Sequence, residues 1–215
     1  MADTPGSRNP WRFTLTILGV AALAWLVMFF TWTTLPPGER TPPPPSDRPT
    51  LPVVADIGGN FSLPSTLGKE LALADMQGRI VFLNFGFTHC PDICPTVLSR
   101  LAGAMTELEA EGIPVQGLFV TFDPERDDLT RLRDYLGFFH PQLVGLRGSE
   151  EQTRDLARQY RVIYLRQDTE SAAGYVFSHT DFIYVLDKQG RVRLLVGSKD
   201  PAEALVAAAR RLNKE

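Results

Sequence analysis

The sequence predicts an α/β fold: a mixed β-sheet flanked by helices, preceded by one N-terminal transmembrane helix. Three observations carry that expectation. Two short apolar runs, 79–85 and 116–122, bracket a segment with helical periodicity. Two later apolar runs are joined by the turn-forming Asp187-Lys188-Gln189-Gly190. Near the start, residues 13–30 form an 18-residue stretch without a charge.

The N-terminal element comes first. At ~1.5 Å rise per residue, residues 13–30 make about 27 Å of helix, close to the thickness of a bilayer's hydrocarbon core. Trp11 and Trp32 flank the run where interfacial aromatics belong. Arg8 and Arg12 precede it, and the next basic residue is Arg40. The positive-inside rule therefore places 1–12 in the cytoplasm. A cleaved signal peptide shares the charged start, but its apolar core is usually shorter, and residues 31–36 offer no small-x-small cleavage site. The expectation is an uncleaved anchor over 13–34 in the cytoplasmic membrane, with the main domain in the periplasm. Residues 35–52 read as a linker: eight of these 18 residues are proline. Such a segment favours polyproline II, and at ~3.1 Å per residue it spans up to about 55 Å.

Residues 53–215 read as one globular domain. With 44% hydrophobic residues the chain can bury one ordinary core. Its net charge of -3, with basic residues dispersed, provides no field for nucleic acid. Residues 79–85, short, β-branched and aromatic, read as a buried strand after the turn-like Gln77-Gly78. Residues 95–111 read as a helix, with Val97, Leu98, Leu101, Met105 and Leu108 on one stripe and Gly112 as its stop. Residues 116–122 are a second buried strand, followed by Asp123-Pro124-Glu125-Arg126-Asp127. Leu129, Leu132, Tyr135, Leu136 and Phe139 mark a second helix. Ser149-x-x-Gln152 has capping-box form and opens a third, to about Tyr160. Residues 182–186 and 192–196 form an antiparallel hairpin, and 201–212 an alanine-rich closing helix. A helix joining two buried strands implies that they are parallel, and the hairpin adds antiparallel strands. That combination is the thioredoxin-like layout.

Both cysteines of the chain, Cys90 and Cys94, follow the first buried strand, and each precedes a proline. Pre-proline residues are biased towards extended conformations. Cys90 is therefore expected in the loop and Cys94 near the N-cap, with Pro95 at the first helical position. A helix N-terminus stabilises an anion, so the Cys94 thiolate is expected to form more readily than in a free peptide. Two thiolates so placed can chelate a soft ion or, with Cβ atoms about 4 Å apart, close a disulfide. His179 bears on that choice. If 182–186 runs antiparallel to 80–85, His179 arrives at the edge where the cysteines emerge. Two thiolates and an imidazole make a three-ligand site open to exchange. Cu(I) tolerates that low coordination, and Cu(II) heads the divalent affinity series. Zinc usually wants a fourth ligand.

Residues 85–95, Phe-Gly-Phe-Thr-His-Cys-Pro-Asp-Ile-Cys-Pro, closely resemble the cysteine motif of the Sco/SenC family of membrane-anchored copper proteins. The likeness extends to the acidic 123–127 loop, to Gly148-Ser149-Glu150, and to His179 followed by the 182–190 hairpin. It covers about 53–212, and the anchor and linker suit the same family. The resemblance implies a thioredoxin-like domain in which Cys90, Cys94 and His179 bind copper. It also implies a role in delivering copper to, or reducing the thiols of, the dinuclear copper site of a respiratory oxidase. The partners implied are that oxidase subunit and a copper donor protein. Two departures stand out: Ser178 replaces the Asp that many members carry before the histidine, which removes one candidate for orienting the imidazole. The acidic loop continues as Asp128-Leu129 rather than Thr-Pro.

Plainer readings stand beside these. The cysteine pair can be a structural disulfide, although so short a loop removes little chain entropy. It can also be the redox pair of a thiol–disulfide oxidoreductase, one cysteine attacking a partner disulfide and the other resolving it. A peroxiredoxin-like site lacks its Thr-x-x-Cys spacing. His89 is expected to face solvent, since aiming it at the same metal strains the loop, and His140 to cap a helix. Asp123 is expected to shape its loop or steer a partner. Met76 and Met105 suit the core, and Asp92 either tunes the motif or lies on plain surface.

Overall fold

The computed structural model describes residues 23–30, 51–169, 174–201 and 203–215. Residues 23–30 are helical (α1), with Trp25 stacked on Phe29 at 5.7 Å. Among the described residues no helix is long and apolar enough to cross a membrane. The rest of the expected anchor over 13–34, and the linker before residue 51, lie outside the described residues.

The globular unit runs from Pro49 to Glu215. Its centre is a five-stranded sheet. β3 (Ile80–Gly86) pairs in parallel with β4 (Val115–Thr121), and β4 with β5 (Val144–Leu146). β3 also pairs antiparallel with β8 (Ile183–Leu186), which turns back into β9 (Val192–Val196). This is the expected mixed sheet. Every residue of β3 is buried, because both faces are covered; a continuous apolar run is what such a strand requires.

Ile80 and Phe82 point into one core, shared with α2 (Ile93–Ala110), α3 (Leu129–Gly137) and α5 (Glu203–Leu212). Val81, Leu83 and Phe85 point into the other, with α4 (Glu150–Gln159) and a short hairpin of β1 (Ser62–Pro64) and β2 (Glu70–Ala72). The predicted stripe of α2 is buried throughout, as is Met105; Met76 packs against the second core. Gly112, at φ +71°, ends α2 as a left-handed residue after the C-cap.

Local signals are realised in detail. Ser149 Oγ accepts from the Gln152 amide, and the Gln152 side chain accepts from the Ser149 amide. Asp128 caps α3 by accepting from Arg131 N at 2.7 Å, which gives this departure in the acidic loop a purpose. In the β8–β9 turn, Asp187 Oδ1 accepts from the amides of Gln189 and Arg191, and its other oxygen takes the buried Arg193 at 2.9 Å. Arg193 also binds the Leu51 carbonyl, so folded contacts begin two residues before the expected start of the domain.

The start of α2 and the setting of His179 differ from expectation, and β1, β2 and β5 have no counterpart in the sequence pattern. α2 starts at Ile93, with Asp92 as N-cap, so Cys94 lies inside the first turn and Pro95 is its third residue. Proline is tolerated there because the first amides of a helix have no intrahelical partner. The pre-proline bias of Cys94 is overridden by its burial and by a bond from its amide to Cys90 Sγ. A further two-stranded sheet, β6 (Tyr164–Asp168) with β7 (Tyr175–His179), has no counterpart in the sequence pattern. His179 therefore ends a strand of its own instead of occupying a plain loop before β8.

Candidate metal centre

The site forms where β3 and β4 end, at the carboxyl edge of the parallel part of the sheet. Gly86 closes β3: a Cβ there would lie 2.8 Å from the Phe119 ring and 3.1 Å from Cys94 Sγ. Only glycine lets strand and helix approach this closely. The next residues form a loop in which the Cys90 amide donates to the Phe87 carbonyl at 3.3 Å. The Cys94 amide then donates to Cys90 Sγ at 3.5 Å. Asp92 makes no side-chain cap, so the Cys90 sulfur takes one of the free donors at the helix start.

His179 is returned to this edge by β8. Asn84, buried in β3, donates to the Phe182 carbonyl at 3.1 Å and fixes the chain just before β8 begins. His179 Nε2 lies 3.6 Å from Cys94 Sγ. The two sulfurs and one imidazole nitrogen all lie within 4.8 Å of one another. His179 Nδ1 faces the Thr180 carbonyl at 2.7 Å. A carbonyl only accepts, so Nδ1 carries the proton, and in the neutral ring Nε2 presents its lone pair to the sulfurs. The partner that orients the imidazole is thus a backbone carbonyl, while Ser178 itself is exposed. Phe122 and Phe87 wall the imidazole, with ring centroids at 4.9 and 6.2 Å.

The cysteines are electrostatically unequal, and Cys94 departs from expectation: its thiol is harder to ionise than a free one, not easier. Hydrogen bonding from the Cys94 thiol, aided by His179 and by the Asp92 and Cys94 amides, outweighs burial and pushes Cys90 down to about 4. Bonding to Cys90, burial, and the charge on Cys90 push Cys94 far up. The helix start does stabilise a thiolate, but on the half-exposed sulfur outside the helix. For His179, burial lowers the imidazole pKa, but bonds to Cys90 and Thr180 and the charges of Cys90 and Asp181 leave it above its ordinary value.

A measurable consequence is selective alkylation. At pH 6 an ordinary thiol is roughly 0.3% ionised, so iodoacetamide should react with it slowly. Cys90, ionised above about pH 4, is expected to alkylate at pH 6 well before Cys94. Its rate should fall as the pH drops through 4, since protonation removes the nucleophile. Peptide mass mapping would check this; equal labelling of the two cysteines would refute the asymmetry.

The loop 123–127 supplies what residue-type reasoning missed. Asp127 is fully buried and accepts from Thr88 N at 2.9 Å, Thr88 Oγ1 at 2.5 Å and Thr121 Oγ1 at 2.6 Å. It ties the cysteine loop to the end of β4. The available signal was two carboxylates, at 123 and 127, directly after a buried strand. His89 does not simply face solvent: its Nδ1 lies 3.4 Å from Thr88 Oγ1 and 3.7 Å from Asp127 Oδ1. Burial and the charges of Arg131 and Arg126 lower its pKa against the pull of Asp127 and Asp123. It groups with those carboxylates rather than with the sulfurs. His140 does not cap with its side chain; it is buried, and its Nδ1 accepts from Gln142 N at 3.2 Å. Asp123 shapes its loop, as expected, by accepting from Arg126 Nε and from the Tyr175 hydroxyl.

Known proteins share this fold. The crystal structure of Arabidopsis thaliana ScoI with copper bound superposes with a TM-score of 0.69 at 35% identity, covering 74% of this chain and 99% of that one. Bradyrhizobium japonicum ScoI with copper bound gives 0.66 at 32%, covering 73% and 99%. The mitochondrial SCO2 homolog of Mus musculus is 42% identical over 155 residues, 71% of this chain and 61% of that protein. The chain thus spans about three fifths of the mouse protein's length. A sequence profile described as SCO1/SenC matches residues 50–214 and so takes in both cysteines, the acidic loop and His179; the chain belongs to the SCO1/SenC family.

Proposed function

We propose that this protein is a membrane-anchored copper metallochaperone for assembly of the dinuclear copper site of a respiratory cytochrome oxidase. It takes one copper ion as cargo on the sulfurs of Cys90 and Cys94 and on Nε2 of His179. The observation that carries the reading is the mutual approach of those three atoms within 4.8 Å, with Nε2 freed by the Nδ1 bond to Thr180. Two soft sulfurs and an imidazole suit copper in either oxidation state. The copper-bound ScoI structures support the choice of metal.

Transfer needs ligands that can be replaced one at a time. Cys90 is the half-exposed ligand and Cys94 the buried one, so an incoming partner thiolate would displace Cys90 first. The oxidase copper-site subunit is the recipient that the family resemblance implies, and a donor protein loads the ion. Residues 13–34 anchor the chain, and 35–52 hold the domain off the membrane on its periplasmic side.

The inequality of the cysteines favours a second activity at the same atoms. The Cys90 thiolate attacks a partner disulfide and forms a mixed disulfide, releasing one partner thiolate. Cys94 then loses its proton and attacks Cys90 Sγ, releasing the second. The partner gains two electrons, and Cys90–Cys94 becomes the disulfide. Such an exchange would prepare the recipient's thiols for copper.

Copper titration with X-ray absorption tests the chaperone reading. One equivalent should bind, with two sulfur scatterers and one nitrogen; an absence of binding by the reduced protein would leave the exchange reading alone. An alkaline phosphatase fusion after Pro52 should be active, and an inactive fusion would reverse the topology.

A further inference from the structure

Among the described residues, the strand that ends in His179 belongs to a two-stranded sheet with no ladder to the main sheet. Something else must hold it against the cysteine loop. Tyr175, Phe177 and His179 stand two apart on β7 and so share one face. Tyr175, buried at the other end of that face, donates its hydroxyl to Asp123 Oδ1 at 2.7 Å, with Glu125 Oε2 beside it at 3.2 Å. The second Asp123 oxygen accepts from Arg126 Nε at 2.5 Å, and Arg126 Nη1 donates to the Tyr175 carbonyl at 3.0 Å. The guanidinium carbons of Arg126 and Arg166 lie 3.5 and 3.6 Å from the Tyr175 ring centroid, so the two must cover opposite faces.

Rings link this knot to the site. Phe177 lies 5.6 Å from Tyr175 and 5.1 Å from Phe122, and Phe122 packs on His179. The strand spans about 13 Å between residues 175 and 179 and carries the position of one end to the other. Asp127, in the same short loop as Asp123 and Arg126, grips Thr88 of the cysteine loop. One loop therefore holds both halves of the site.

We propose that Tyr175, Asp123 and Arg126 are positioning residues for His179, forming a clamp that keeps the imidazole within bonding reach of the sulfurs and so favours the histidine-dependent Cu(II) form. The metal half of this inference rests on the copper reading above; the clamp itself does not. Cu(I) is served by two thiolates alone, whereas Cu(II) calls on the nitrogen. Loss of the clamp should therefore discriminate between the oxidation states, which a general loss of stability would not.

The test uses the full chain carrying Tyr175→Phe, which keeps the ring, and separately Arg126→Ala; Asp123→Asn stands in if either fails to fold. In the metal-free protein, amide hydrogen exchange across 175–180 is expected to speed up by about tenfold while β3 and β4 keep their protection. Cu(II) affinity should fall by about tenfold with altered hyperfine splitting in electron paramagnetic resonance, and Cu(I) affinity, by competition with a chromogenic chelator, should hold. Wild-type exchange in the variants, an unchanged Cu(II) signal, or equal weakening of both oxidation states would overturn the proposal. Should the wild-type protein bind Cu(I) but no Cu(II), the proposal is overturned; should it bind neither, the copper reading falls and the exchange experiment alone decides the clamp.

Discussion

His179→Ala is expected to lower Cu(II) affinity by at least about 100-fold, since loss of groups that merely support a ligand already costs 10–100-fold. Cu(I) should suffer far less. In the proposed ligand set the two sulfurs already provide the low coordination that Cu(I) accepts, whereas Cu(II) would lose the nitrogen donor of that set. The change also vacates a ring packed between Phe87 and Phe122. Some stability will go with it, so binding must be compared under conditions where thermal melts show both proteins folded. Chelator competition for each oxidation state, with electron paramagnetic resonance on the Cu(II) form, makes the measurement. Equal Cu(II) affinity in variant and wild type would remove His179 from the ligand set and leave the cysteines as a redox pair.

What could be read from residues alone follows a physical boundary. β3 and β4 were legible because strands buried on both faces need unbroken apolar runs. α4 was legible because its capping box is local. β6 was not: four of its five residues are exposed, and no apolar pattern marks them. Its place depends on its ladder with β7 and on Arg166 stacking on Tyr175 across that hairpin, contacts that no residue pattern in β6 announces. The meeting of Cys90, Cys94 and His179 could be inferred, because strand direction alone dictates which edge His179 reaches. Which sulfur is the easier to ionise could not, because it turns on burial of Cys94 and on how the helix start, with the Cys94 amide, meets the Cys90 sulfur. The partner of the imidazole escaped for a related reason. A backbone carbonyl has no residue type, so nothing in the sequence around position 178 marks it as the partner.

Asp127→Ala is expected to destabilise the domain by about 3 kcal/mol, the low end of the cost of removing one partner from a buried charged network. Three hydrogen bonds to a charged acceptor, at about 1.5–3 kcal/mol each, would sum to more. The sum overstates the loss because two of the donors are hydroxyls, on Thr88 and Thr121, which can rotate to other acceptors or to water in the vacated space. The Thr88 amide cannot rotate, and its stranding in a buried loop sets the floor. Urea unfolding measures the difference; a change under about 0.5 kcal/mol would be that of an ordinary surface position and would deny the carboxylate any part in holding the loop. The metal response should separate this variant from His179→Ala. Thr88 stands two residues before Cys90, so freeing it loosens both sulfurs, and Cu(I) and Cu(II) should weaken together. Asp127→Asn keeps the shape and one acceptor oxygen but turns an amide donor towards donors, so it should fall between the alanine variant and wild type. If asparagine instead proves as damaging as alanine, the negative charge itself, facing Arg131 at 3.9 Å and His89 at 3.7 Å, is what the loop requires.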